Sequence, residues 1–308
     1  MDEPVADPAI LMAYLVCHEA RAHSTVLLSG IGGDELFAGY RKHYGHSWGT
    51  AYRRLPGLLR HGVIEPALNH LPPLRGTPLK GLARLSRKMA RAGSLPPQDA
   101  FLMHSTYLNE MQKAALYSPD LLTEMHDWDP WERHRAYFAR VQRSDFVNQM
   151  LYVDTRAFMA SLNLNYNDKM SMASSVEVRV PFLDRELIEF AAQAVPPSLK
   201  LKGFWRPTTK YLLRRAMNGI LPTEVLHQPK AGFGAPVDVW LAHDLRAMVL
   251  DLLAPQRLQQ RGYFRPDTVQ HMLKQHHCGI QDWSMQIWQL FTFELWVQTF
   301  LDHTRSAD

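Results

Sequence analysis

The chain has 308 residues, 34 lysines and arginines against 30 acids, a formal net charge of +4 and 46% hydrophobic residues. That is enough apolar material for one large core or two ordinary ones, and it predicts a soluble globular protein. No run of 18 apolar residues occurs, and the start, MDEPVADPAI, carries neither a basic region nor an apolar stretch; a membrane-spanning helix is excluded and a cytoplasmic location expected. Cys17 and Cys278 stand far apart without CxxC spacing, which argues against a disulfide framework or a thiolate metal site and predicts two buried, inert thiols.

In chain order, residues 8–22 place Ile10, Leu11, Tyr14, Leu15 and Cys17 at helical spacing behind Pro8, which suits a first turn. Ser24 to Ser29 is short, apolar and partly β-branched, and reads as a buried strand that runs into the turn Gly30-Ile-Gly-Gly33. A second helix is expected from Asp34 to Tyr40, with acids in its first turn where the helix dipole favours them. Positions 41–93 carry eleven lysines and arginines against the single acid Glu65; this reads as a solvated face or a contact for an acidic partner domain, because no helix-turn-helix or zinc-finger spacing accompanies it. Beyond residue 45 the pattern is helical and punctuated by prolines. The longest late helix spans about 281–302 and puts Trp283, Ile287, Leu290, Phe291, Leu295 and Phe300 near one face as a core stripe. One strand alone has no ladder partner, so its backbone groups require either a sheet lost from this chain or one supplied by another.

Three clusters carry the polar chemistry. Ser29-Gly-Ile-Gly-Gly-Asp-Glu35 lies where a strand hands over to a helix. Such a turn is either merely structural or an anion site, since glycines let backbone amides approach a phosphate and the helix N-terminus adds favourable partial charge. Asp34 favours the second reading, because a carboxylate beside such a turn is suited to hold Mg²⁺ against nucleotide phosphates. Asn167 to Ala173 and Glu177 to Asp184 interleave charge with apolar residues; Glu177, Arg179 and Asp184 read as a partly buried, paired scaffold network. Pro229 to Pro236 frames Lys230 with residues of special backbone geometry, although a lone lysine is ordinarily solvent-exposed. His276-His277-Cys278 reads as a surface or loop cluster. Met170 and Met172 read as core filler.

Taken in order, these clusters resemble the synthetase half of the glutamine-dependent asparagine synthetase family. The likeness rests on Asp2-Glu3-Pro4 with Asp7; on Ser29 to Tyr40, against the pattern Ser-Gly-x-Gly-Gly-Asp-Glu-Leu-Phe-x-Gly-Tyr; and on Asp168 to Ala173 and Glu177 to Asp184. It continues through Lys210 to Arg214, Leu221-Pro222, Lys230 to Leu241 and the tryptophan-rich stretch Trp288 to Trp296, covering essentially the whole chain.

The resemblance implies a mainly α fold with a remnant of a parallel α/β nucleotide-binding sheet of the PP-loop ATP pyrophosphatase type. The chain would be the C-terminal part of such a domain, with an α/β remnant in 1–45 and a helical region in 46–308. It implies ATP and Mg²⁺ as cofactors and a two-step reaction. A substrate carboxylate attacks the α-phosphorus of MgATP to give an acyl-adenylate and pyrophosphate, and an amine or ammonia then expels AMP. Ser29, Gly30, Gly32 and Gly33 would contact the nucleotide, Asp34 would hold Mg²⁺ and pyrophosphate, and Lys230 would stabilise charge developing on the phosphates. The family's Ser-Gly-Gly-x-Asp-Ser loop and its glutaminase half, with a cysteine after the initiator methionine, do not occur in these residues, and position 2 is Asp2. The position after Gly30, often acidic in the family, is Ile31, and Met159-Ala160 replaces a frequent Leu-Pro. The expected partners are a small carboxylate substrate and an N-terminal synthetase or glutaminase chain, with neither nucleic acid nor membrane. The alternative is a non-catalytic truncated remnant or scaffold subunit.

Overall fold

The computed structural model describes residues 1–69, 95–203, 207–228 and 232–302. Most of them are helical, and they gather into two compact units. No described helix is long and apolar enough to cross a membrane.

The first unit comprises Met1–Met12, Thr106–Asp129 and the chain from Phe233 onward. Its core is built by the helices Val237–Ala242, Arg246–Leu252, Pro255–Arg261, Pro266–His277 and Ser284–Val297; Leu258, Val269 and Ile287 within them, and Leu253 at the end of the second, are almost wholly buried. Pro255 and Pro266 sit in first turns, where the missing N–H is no loss. The late helix is α-helical over Ser284–Val297 and continues as a π-helical turn over Gln298–Asp302. Trp283, Ile287, Leu290 and Phe291 form its buried stripe as the periodicity predicts, whereas Phe300 is 38% exposed. Arg261 bridges the buried Glu294 (Nη2 to Oε1, 2.9 Å) and Asp302, tying the π-turn to the preceding helices.

The second unit comprises Ala13–Ser105 and Pro130–Gly232. Phe101, Phe138, Met150 and Val153 form one apolar centre. Leu36, Phe37 and Ala191 form another with Phe182, Leu187 and Ile188 packed against them. Of helix α1 (Ala9–Ala20), the part from Ala13 belongs to this unit; it buries Ala13 and Cys17, while Leu15 and Val16 are left exposed.

Strand β1 (Val26–Leu28) is not alone. It pairs in parallel with β2 (Glu177–Arg179), in the register Val26↔Glu177, Leu27↔Val178 and Leu28↔Arg179. The ladder is extended by Glu177 N–H to Thr25 O at 2.8 Å and Ser29 N–H to Arg179 O at 2.8 Å. A short antiparallel pair, β3 (Leu201–Lys202) and β4 (Thr208–Thr209), follows.

Several expectations are corrected here. The strand is not buried: Leu28 is 74% and Val26 37% exposed, since no described element covers that face. Glu177 and Arg179 do not form a buried network; neighbours on one face of β2, they make an exposed ion pair at 2.8 Å. Asp184 instead caps the Arg185–Gln193 helix, accepting from Glu186 N at 2.9 Å. Cys17 is buried but Cys278 is exposed, and Met172 is 60% exposed at the end of its helix.

Candidate active site

The chain leaves β1 at Ser29 and turns through Gly30 to Gly32 into α2 (Gly33–Phe37). Ser29 Oγ accepts from Ile31 N–H at 3.3 Å, and Gly33 N–H donates to Gly30 O at 3.2 Å, so the turn is held by its own short-range bonds. Gly32 has φ 98°, and a Cβ there would lie 2.5 Å from Leu183 Cδ2; both backbone conformation and packing require glycine. Gly32 and Gly33 are buried beneath the turn while Gly30 is exposed, and a methyl added at Gly30 meets nothing within 4 Å.

Asp34 stands in the first turn of α2 and remains 22% exposed, with Oδ1 3.0 Å from Lys210 Nζ. Lys210 sits just before the Tyr211–Ala216 helix with a left-handed backbone, φ 53°, and its N–H donates to Phe37 O at 3.0 Å. A strained non-glycine conformation held by packing of this kind is characteristic of functional segments. Gly39 closes the arrangement: a Cβ on it would lie 1.6 Å from Asp34 Oδ1 and 2.5 Å from Lys210 Cε, so the ion pair fits only against a bare backbone.

Glu35, the second acid of the turn, does different work. It is 1% exposed, and its carboxylate accepts from Gly32 N–H (3.1 Å), the Tyr40 hydroxyl (2.6 Å) and Asn163 Nδ2 (3.0 Å). It is therefore a strut that fixes the glycine turn rather than a ligand-facing group. Burial, and then the Glu35 charge, push the Tyr40 phenol up, so that it stays a donor. Tyr40 N–H in turn donates to His43 Nδ1 at 3.3 Å, which puts the ring proton on Nε2, 2.8 Å from Asp154 Oδ2. Lys42 Nζ reaches Asp154 Oδ1 at 2.6 Å and lies 4.5 Å from the Phe158 ring centre. Burial alone pushes the Asp154 carboxyl up, but the Lys42 charge and the His43 hydrogen bond outweigh it and hold it below the usual range.

One turn further along α3 (Arg41–Arg53), His46 is lowered to about 4 by burial and then by the charge of Arg53. Its folded value is below the unfolded one, so the unfolded chain binds the extra proton between pH 6.5 and 4 and stability falls as pH drops through that window. The loss is expected to reach about 3 kcal/mol. Urea titrations at pH 7 and pH 4.5 should show it, and His46→Phe should flatten that part of the pH dependence.

Sequence reasoning named Ser29, Gly30, Gly32, Gly33 and Asp34, and the structure gathers these at the β1 exit. Asp168 and Lys169 belong to a separate helix, Leu164–Ala173. Lys230 lies outside the described residues. Lys210, Tyr40 and Asn163 were missed as site residues, although Tyr40 and Lys210 fall within the stretches that carry the family resemblance.

The sequence profile described as Asparagine synthase matches residues 1–298. Asparagine synthetase [glutamine-hydrolyzing] 1 of Bacillus subtilis (strain 168) is 34% identical over 298 residues, 96% of this chain and 44% of its own length. A putative asparagine synthetase [glutamine-hydrolyzing] of Mycobacterium bovis is 35% identical over 315 residues, 99% of this chain and 44% of its own. Amidase chyE of Penicillium rubens is 26% identical over 77% of this chain. The chain thus spans less than half the length of the synthetases it matches. The family uses ATP and adopts the PP-loop ATP pyrophosphatase fold, of which β1, β2 and their surrounding helices are the part present here. By the match along nearly its whole length and by these identities, the chain belongs to the asparagine synthase family of AMP-forming ligases.

Proposed function

We propose that this chain carries one wall of an ATP-dependent amide-forming site working through an acyl-adenylate, with aspartate or a related carboxylate as acyl donor, and that residues outside these 308 complete it. The observation that supports the reading most is the partly exposed Asp34, held at the exit of a parallel strand by Lys210 and braced from below by Glu35. The donor set fits the nucleotide and its metal: a carboxylate oxygen is a hard ligand suited to Mg²⁺, and a turn of small residues with open space at Gly30 admits a phosphate. In that reading Asp34 holds Mg²⁺ and pyrophosphate, Ser29, Gly30, Gly32 and Gly33 line the nucleotide, and Lys230 neutralises developing charge. When bound, MgATP supplies the electrophilic phosphorus. The residues of this chain orient the phosphates and supply fixed charge, which is the larger part of catalysis in phosphate chemistry.

Residues 1–308 are, on this proposal, the C-terminal part of the synthase domain, and an N-terminal synthetase segment packs on the exposed face of β1. Ile31, where the family often has an acid, is the position at which aspartate and a related carboxylate would be told apart. Carboxylate-dependent exchange between pyrophosphate and ATP is the direct test. None is expected from this chain alone, and exchange is expected once a Ser-Gly-Gly-x-Asp-Ser segment is supplied in fusion or in trans. Normal exchange by the isolated chain would show that the loop is dispensable; none after the loop is supplied would favour a scaffold role instead.

A further inference from the structure

The second unit has an open cleft of about 790 Å³, with Gly39 among its lining residues. That volume is within the roughly 300–1,000 Å³ of small-molecule sites. Arg41, Trp48, Tyr211, Arg215 and His227 are among its walls, and no described lining residue is acidic. Arg214 also lines it and adds its charge, although its Nε donates to Thr209 O at 3.1 Å and its Nη1 to Leu226 O.

The cations here differ from those elsewhere on the chain. Arg135, Arg185 and Arg257 each hold a carboxylate at 3.0, 2.8 and 3.0 Å. Arg41 and Arg215 have no carboxylate partner among the described residues. A third cation, Lys202, donates to the Tyr211 hydroxyl at 2.8 Å, and the Arg215 guanidinium lies 5.9 Å from the same ring. Hydrogen bonding from Lys202, then from Arg215, lowers the Tyr211 phenol, as expected where positive charge is concentrated. Guanidiniums left without carboxylates around a cleft match an oxyanion of high charge density, which they bind through paired, charge-assisted hydrogen bonds.

We propose that this cleft is a binding site for a small inorganic polyanion of the pyrophosphate class. Its role as the station where pyrophosphate rests after leaving the Asp34 side rests on the function proposed above; the binding itself does not.

The test is calorimetric titration of sodium pyrophosphate into the 308-residue chain in low-salt, magnesium-free buffer. Saturable binding is expected, and Arg41→Gln with Arg215→Gln should weaken it by about tenfold or more, the loss typical of charge-assisted contacts. Asp34→Asn should leave it in place, because without magnesium that carboxylate repels the anion. Both arginines are exposed, and unchanged thermal melts of the double variant would show that it folds. No saturable binding by the unaltered chain, or equal binding by the double variant, overturns the site. Tighter binding in Asp34→Asn, with binding unchanged in the double arginine variant, moves the anion to the glycine turn, overturning the cleft while leaving the proposed function standing. A glutamate-rich peptide that displaces pyrophosphate at lower concentration assigns the cleft to an acidic partner segment and also overturns the proposal.

Discussion

Alanine in place of Asp34 is expected to lower pyrophosphate–ATP exchange at least about 100-fold when these residues are joined to a Ser-Gly-Gly-x-Asp-Ser segment, the loss typical of removing one preorganised electrostatic stabiliser. The reason lies in the geometry of the β1 exit. The carboxylate is 22% exposed and has Lys210 Nζ 3.0 Å away, so it is reachable from solvent and already sits in a local field of positive charge. Gly39 leaves no room for the side chain to retreat. The exchange rate at saturating MgATP, with thermal melts as a control for folding, measures the effect. A variant that exchanges at the unaltered rate would take Asp34 out of the site. Lys230→Ala is expected to cost a similar factor by the same assay.

The second large effect is on folding. Replacing Glu35 with alanine strips the acceptor from two buried donors, the Gly32 N–H and the Asn163 amide, and from the part-buried Tyr40 hydroxyl. With the desolvation penalty of each left uncompensated, a loss of about 3–5 kcal/mol is expected. Glu35→Gln, which keeps one accepting oxygen but turns an amide towards a donor, should lose about half as much. Chemical denaturation followed by tryptophan fluorescence reads both. If the alanine variant unfolds at the same urea concentration as the unaltered chain, the strut is not holding the turn.

The two neighbouring acids show how far the sequence could be read. Both belong to the first turn of α2, and helix chemistry alone treats them alike. Asp34 was distinguishable because its turn is local, from Ser29 to Gly33, and the residue types at that spacing dictate the backbone. Glu35 was not: Gly32 and Tyr40 are near it in sequence, but the third partner, Asn163, is 128 residues away, and neither Glu35 nor Asn163 carries a signal of the other. The same holds for β1. Its apolar run was legible as a strand, but its ladder partner lies in Glu177–Arg179, a stretch whose charges read as an internal network. Burial was overestimated there, since hydropathy reports what a face prefers and not whether these residues supply the cover; Leu28 is apolar and 74% exposed. Lys210 was legible only as part of a family stretch, because its left-handed backbone and its reach to Asp34 arise from packing between segments distant in sequence.

The parallel pairing of β1 with β2 also sets a timetable. Val26 cannot find Glu177 until some 150 further residues have been made, which at ribosomal rates is a delay of roughly 8–30 s. During that interval the nascent glycine turn has a strand edge without its neighbour, in a segment rich in Val, Leu and Ile. A chaperone that shields residues 24–33 over that interval would therefore be expected to raise the yield of native protein.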